Sequence, residues 1–454
     1  MESDARVTPG TARRLNGRPV LHNLLAVGGA EAATRIAQLV ALTVIAQKLG
    51  RHGFGIIGTG WAFYNLAIPF VQQSPELVGI RALARQHDRL SVIHETVAIK
   101  LMLALVAAAF CLTAAIILYH GEPALERQII VQAGVLLGLV PSLGWVFQAF
   151  RRFEVQAGLR VLQATVSTTL LMIVLQYARN PLAVPLADLT ACLAAAALGF
   201  WMLTARLRQP DEVTFIDILL ASVAACRQAL GSHGLSTVRL GLASFSGALS
   251  WWGCIPLGRL FISTGEVGIL TAVLRLVFLL NSCFLLAIQL FFPILAENLA
   301  AGGQKGKDMV ANLVCCVTMA AVLAYIPVFL FAERLLGLLF GASFAEGGAC
   351  LRLLGLITVA GPIGAVYGYA LLAAGRDHEF VQVLTIGAVA TIAADYVGFL
   401  GWGSALGAAG AVPVFFAEML ACAVLCQRSG LVANKPFAFR RFRPVQVLSL
   451  LRAR

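Results

Sequence analysis

Six ionisable residues stand inside stretches otherwise too apolar to hold them, and their types bound the chemistry the chain can do. Arg35, Arg239 and Arg275 are guanidinium donors; Glu31, Asp395 and Glu418 are carboxylates. A guanidinium is a planar fork that grips phosphate oxygens in pairs, and it keeps its charge in a partly dry site where a lysine ammonium can lose it. Arg35 and Arg275 lie roughly ten to thirteen residues into their stretches, about 15 to 20 Å deep at ~1.5 Å per helical residue, beyond easy snorkelling. Contact with an anion in a polar cavity is one reading of both; for Arg35 a neutral i, i+4 pair with Glu31 is the other. Arg239 is only about a turn and a half from the end of its stretch, so snorkelling competes there with a cavity role. The three acids can neutralise the arginines, or hold a coupling H+ or Na+. Lys100, Arg160 and Arg352 lie near stretch ends and read as interfacial anchors.

No other grouping in the chain offers a reaction centre. There is no Ser/His/Asp set, no HExxH, no GxxxxGK[ST] and no metal-ligand spacing among the seven histidines. The ten cysteines all fall in apolar or amphipathic stretches without a CxxC framework, so they read as small hydrophobes. The expectation is a non-enzyme without a cofactor. Trp251 and Trp252 read first as packing residues, with a cavity-facing ring as the alternative.

The elements that must position these groups follow from composition. Hydrophobic residues make up 59% of the 454 positions and charged ones 12%, with a mean hydropathy of +0.85. Soluble domains carry roughly 25% charged residues. The apolar residues come in blocks of the length, about 20 residues, that a helix needs to cross a hydrocarbon core of about 30 Å. Period-two alternation is absent, which argues against a membrane β-barrel. Spans are expected near 22–47, 54–79, 93–119, 129–150, 156–178 and 184–205, then 234–258, 265–292, 309–332, 347–373, 380–401 and 404–427. The fold class is therefore an all-α polytopic membrane protein of about twelve transmembrane helices in two six-helix lobes. Its expected domains are a cytoplasmic N-terminal segment 1–20, a lobe 21–206, a linker 207–232, a lobe 233–428 and a basic tail 429–454. The first span reads as uncleaved, being too long for a signal-peptide core.

Lys and Arg in the intervening segments fall 22 on one side of the membrane and 6 on the other. That bias puts both termini in the cytoplasm. It also assigns most of the net charge of +12 to a membrane face, which leaves no support for nucleic-acid binding. The tail from Lys435 to Arg454 reads as an anchor to anionic lipid headgroups.

The halves echo one another. Phe54-Gly55-Ile56-Ile57 opens the second span, and Val267-Gly268-Ile269-Leu270 opens the eighth, 213 residues later. Leu83-Ala84-Arg85 and Leu295-Ala296-Glu297 follow at nearly the same offset. Repeats in one orientation are a common transporter architecture, with the substrate path between them.

Several of these segments carry a family resemblance. Leu49-Gly50 followed by Gly53-Phe54-Gly55, the run Gly79 to Arg85, Glu266-Val267-Gly268 and Pro293 to Ala296 are similar to the pattern of the Wzx-type oligosaccharide flippases of the MOP superfamily, a polysaccharide biosynthesis family. So are Leu335 to Gly341, Ala349 with Leu351 to Leu354, Leu371 to Gly375, and Leu406 to Ala411. Leu270 stands where that family often has Tyr. The resemblance implies a MATE-like V of two lobes around a central cavity, which alternates between inward- and outward-open states. It implies as cargo a glycan on an undecaprenyl pyrophosphate carrier, in the cytoplasmic (inner) membrane of a bacterium, with polysaccharide polymerase and chain-length machinery as potential partners. Two other functions stay open: a MATE-like cation-coupled drug or metabolite antiporter, which mid-span arginines disfavour, and a membrane polysaccharide polymerase or ligase, for which no outer loop is large enough.

Overall fold

The computed structural model describes residues 17–83, 89–150, 152–207, 234–300 and 304–432. Among them every regular element is helical. Lipid cannot hydrogen-bond to a free backbone, so spans this apolar must satisfy their amides internally.

The helical run Gly17–Ile68 is divided at Gly50, whose φ of 65° and ψ of −177° lie outside the helix. Glycine reaches that conformation without a Cβ clash. We call 17–49 helix α1. Helix α2 runs from 51 through a π-helical turn, Pro69–Gln73, into Ser74–Leu83. Pro69 supplies no N–H, and the Ser74 hydroxyl donates to the Pro69 carbonyl at 2.7 Å, so the widened turn keeps its acceptor satisfied. Then come α3, Arg89–Leu118, and α4, Pro123–Gly138, which breaks at Pro141 and resumes as Gly144–Ala149. Helices α5, Phe153–Tyr177, and α6, Ala183–Leu207, complete the first half.

The second half begins with α7, Leu235–Trp252, extended by the turn Cys254–Gly258, and α8, Thr264–Ala300. Helix α9, Gln304–Leu330, is followed by a short amphipathic helix, Ala332–Phe340. Helix α10 comprises Gly348–Gly355 and Ile357–Ala373. Helix α11 is Asp377–Trp402, and α12, Ala411–Arg428, is preceded by the 3-10 turn Ala405–Gly410. Among the described residues nine stretches are long and apolar enough to cross a membrane, and Ala33–Leu83 among them holds the second half of α1 together with α2. The interrupted α4 and α7 complete the expected twelve.

The ends shift by a few residues from expectation. Helix α1 is already formed at Gly17, inside the expected N-terminal segment. Helices α4 and α8 extend six and eight residues further than expected, to Pro123 and Ala300. Of the expected linker and tail only Leu207 and 429–432 are among the described residues.

Large apolar side chains such as Val106, Ile117, Ile386 and Val389 are exposed, as a lipid-facing surface requires. Inside, among the described residues, one large core joins the halves and two others do not. The joining core lies towards the expected outer face and includes Phe54 and Trp61 of α2, Val273 of α8, and Phe340 and Phe344. A second core belongs wholly to the first half, and a third, around Leu295, Val310 and Cys426, wholly to the second. The lobes thus share a core at one end, while towards the other they still meet through α2 and α7, where Phe70 packs on Phe245 with ring centres 5.5 Å apart.

At the joined end, α2 and α8 cross with their backbones in contact. A Cβ added at Gly55 would stand 1.9 Å from the Thr264 carbonyl oxygen, and one at Gly268 would stand 1.9 Å from that of Arg51. The 213-residue offset that relates Gly55 to Gly268 also relates Arg51 to Thr264. The contact is reciprocal, so the pseudo-two-fold axis relating the halves passes through it. Two ion pairs flank it. Arg51, the first residue of α2 after the Gly50 break, meets Glu346, between α9 and α10, at 2.7 Å. Arg259, between α7 and α8, meets Glu122, between α3 and α4. The Tyr119 hydroxyl donates to the Pro256 carbonyl beside that second pair, at 3.1 Å.

Candidate functional site

Below the α2–α8 crossing a cavity of about 440 Å³ is lined by α1, α2, α5, α6 and α8. Among the described residues its charged lining is Arg35, Arg160, Arg275 and Asp188, three cations and one anion. Polar neighbours include Gln38, Asn65, Gln163 and Ser167. The lining on α5 follows from helical periodicity, because Arg160, Gln163 and Ser167 recur at intervals of three and four and share one face, which Gln156 continues one turn earlier. The same face that makes α5 polar on one side leaves Ile173 and Val174 exposed on another.

Arg275 enters from the second lobe and is held between two indoles. Its guanidinium carbon is 4.4 Å from the Trp61 ring centre and 4.7 Å from that of Trp252. Stacked rings cover the faces of a guanidinium and leave its in-plane N–H edge for an acceptor. Its Nε is buried without a hydrogen-bond partner. Asp188 supplies the counter-charge within electrostatic reach, and its Oδ1 accepts from the Ser167 hydroxyl at 2.6 Å. Trp251 packs on Phe415 and, like Trp252, on Phe278.

The structure brings Arg35 and Arg275 to one cavity, from different lobes. It does not bring Arg239 there: that side chain is exposed near the start of α7, where a long basic side chain reaches the helix end. Asp395 and Glu418 are also elsewhere, in the second lobe between α11 and α12. Asp395 is fully buried, and neither of its oxygens has a hydrogen-bond partner. Glu418 lies against Gly387 of α11, and its Oε1 is likewise without a partner. Neither acid neutralises the cavity arginines. The side chain of Glu31 lies outside the described residues, and so does any pairing with Arg35.

Three residues depart from the anchor reading or escaped it. Arg160 faces the cavity from α5. Lys100 is fully buried, and donates to Glu76 at 2.9 Å and to the Ser142 carbonyl at 3.2 Å. Arg352 does sit at a helix end, paired with Glu333 at 2.7 Å. Asp188 drew no attention in the sequence, although it is the one carboxylate of the expected sixth span and could have been found by that count.

Comparison with known proteins places this arrangement. Residues 20–299 match the family described as polysaccharide biosynthesis proteins. A search of curated protein sequences finds no match. Among solved structures, an inward-facing multidrug resistance MATE family transporter of the MOP superfamily superposes with a TM-score of 0.69 at 16% identity, over 88% of this chain and 94% of that one. The lipid II flippase MurJ, in an inward closed conformation, gives 0.69 at 9% identity, over 94% and 91%. An outward-facing MATE family transporter gives 0.56 at 16% identity, over 91% and 95%. The fold is that of polytopic MOP superfamily transporters.

Proposed function

Because the chain belongs to the polysaccharide biosynthesis protein family, we propose that it carries a polyprenyl-pyrophosphate-linked oligosaccharide from the cytoplasmic to the outer leaflet of the bacterial cytoplasmic membrane. The observation that carries this reading is the three-to-one excess of guanidinium over carboxylate among the described residues that line the cavity. A hydrated sugar and its pyrophosphate cannot enter hydrocarbon, whereas the polyprenyl tail is at home there. The protein must therefore offer the headgroup a polar, positively charged chamber at mid-depth. An arginine at that depth costs about 2.5 kcal/mol or more if left alone. The indole rings and Asp188 offset part of that cost at Arg275 and leave its N–H edge for an oxyanion.

Both termini lie in the cytoplasm on this reading, so the end with the shared core faces out and the Phe70–Phe245 contact of α2 with α7 lies towards the inner side. The cavity then loads from the cytoplasmic side when that contact parts, and the α2–α8 crossing closes the exit until the lobes rock. Asp395 and Glu418 are the groups through which an H+ or Na+ gradient drives the change. The flipped glycan passes to a polymerase and its chain-length machinery. A cation exporter of the same fold needs the opposite balance of charge in its cavity, and no described outer connection is large enough to hold the catalytic groups of a polymerase or ligase.

Arg35→Ala and Arg275→Ala proteins are expected to insert normally while lipid-linked glycan accumulates on the cytoplasmic leaflet and surface polysaccharide falls at least tenfold. Wild-type surface polysaccharide in both variants sinks the reading.

A further inference from the structure

A second chamber of about 250 Å³ opens beside the first and shares Tyr64, Arg160, Gln163 and Cys192 with it. The polar face of α5 runs through both, from Gln156 in the side chamber to Ser167 in the main one. Their chemistry differs. The side chamber carries one carboxylate, Glu76, together with the amides of Gln72, Gln156 and Gln163.

The sequence spends structural cost on presenting those groups. Gln72 sits in the π-helical turn Pro69–Gln73, and Glu76 lies one turn further along α2. A π-turn shifts the register of the side chains that follow it, and such turns recur at functional sites. Glu76 Oε1 is held by Lys100, which is 0% exposed and is itself fixed by the Ser142 carbonyl. A fully buried ammonium is expensive unless paired, and here its partner is a carboxylate that borders a chamber. At the same wall the indole N–H of Trp145, a completely buried side chain, has no acceptor.

Resting on the flippase reading, we propose that the side chamber is the saccharide subsite, in which the carrier-proximal sugar is read by Glu76, positioned by Lys100, and by Gln72. A carboxylate repels phosphate and accepts from sugar hydroxyl or acetamido N–H groups, while primary amides both donate and accept. The main chamber has the complementary bias, three arginines to one acid. Arg160, common to both, stands where the pyrophosphate joins the first sugar. A site with unmet hydrogen-bonding groups discriminates strongly against a ligand that lacks the matching partner.

The test measures binding to purified full-length protein of undecaprenyl diphosphate without sugar, and of the same carrier bearing N-acetylglucosamine, galactose or glucose. Wild type is expected to bind at least one saccharide-bearing carrier tenfold or more tightly than the bare one. Glu76→Gln and Gln72→Ala should each erase most of that gain and leave affinity for the bare carrier unchanged. Gln72 has no hydrogen-bond partner to lose, so its variant stays informative if Glu76→Gln fails to fold. Equal affinity for bare and all saccharide-bearing carriers in wild type, or full gain retained in Gln72→Ala, overturns the subsite. Arg275→Ala separates the two ideas: it should weaken the bare carrier as well, and if it does not, the flippase reading itself fails.

Discussion

Between the rings of Trp61 and Trp252 the Arg275 guanidinium loses the water that would solvate its two faces. A cation–π contact of this kind contributes about 0.5–2 kcal/mol, which does not repay full dehydration, so the group remains strongly attractive to an oxyanion. Its depth was legible in the sequence, as was that of Arg35, because distance from a span end is a matter of counting. The direction of a side chain is not. Arg160 and Lys100 sit at depths where snorkelling is possible, yet one faces the cavity and the other is sealed in the first lobe. The same limit hid the isolation of Asp395, whose span was correct and whose surroundings come from α12. An unpaired carboxylate between α11 and α12 is a natural seat for a coupling ion. Asp395→Asn is expected to remove the dependence of flipping on an imposed H+ or Na+ gradient, measured in proteoliposomes, while carrier binding persists. Unchanged gradient dependence would remove Asp395 from the coupling role.

Helix boundaries came through within a few residues where a polar or glycine turn interrupts an apolar run, as at Gly50 and Gly403, both with positive φ. They were less legible where a helix continues past the apolar zone into water, as α8 does to Ala300. The α4 break at Pro141 and the π-turn at Pro69 have visible prolines, but a proline does not say whether the helix stops, bends or widens. The echo of Phe54-Gly55 in Val267-Gly268 was legible as repetition; that the two glycines touch was not. A methyl group at Gly268 meets backbone, which cannot swing aside. Gly268→Ala should therefore destabilise the protein by about 1–3 kcal/mol, as overpacking does, seen as a lower melting temperature in detergent. Gly247→Ala, where a Cβ meets nothing within 4 Å, is the control. Equal melting temperatures would mean that the crossing relaxes freely.

Across the whole molecule, the two ion pairs at the joined end follow the repeat. A cation at the first connection of each lobe, Arg51 or Arg259, reaches an acid in the third or fourth segment of the other, Glu346 or Glu122. Being partly exposed, each contributes about 0.2–1 kcal/mol. Glu122→Gln with Glu346→Gln should lower the cost of separating this end by about 1 kcal/mol, roughly a five-fold change in population. Faster hydrogen exchange in 119–125 and 342–347 is the expected sign; unchanged exchange would show that apolar packing alone holds the end shut.

Identical glycines meeting across a two-fold axis are how two copies of one chain associate in a bilayer. An ancestor with half the present length and an even number of spans would have inserted with its ends on one side and dimerised through that residue. Fusion then freed the copies to diverge: Ala62 now occupies the position that the 213-residue offset pairs with Arg275, and Ala248 the one that it pairs with Arg35. A true dimer must display each cation twice about its axis. The fused chain can gather its charge to one side and keep the opposite wall for other work.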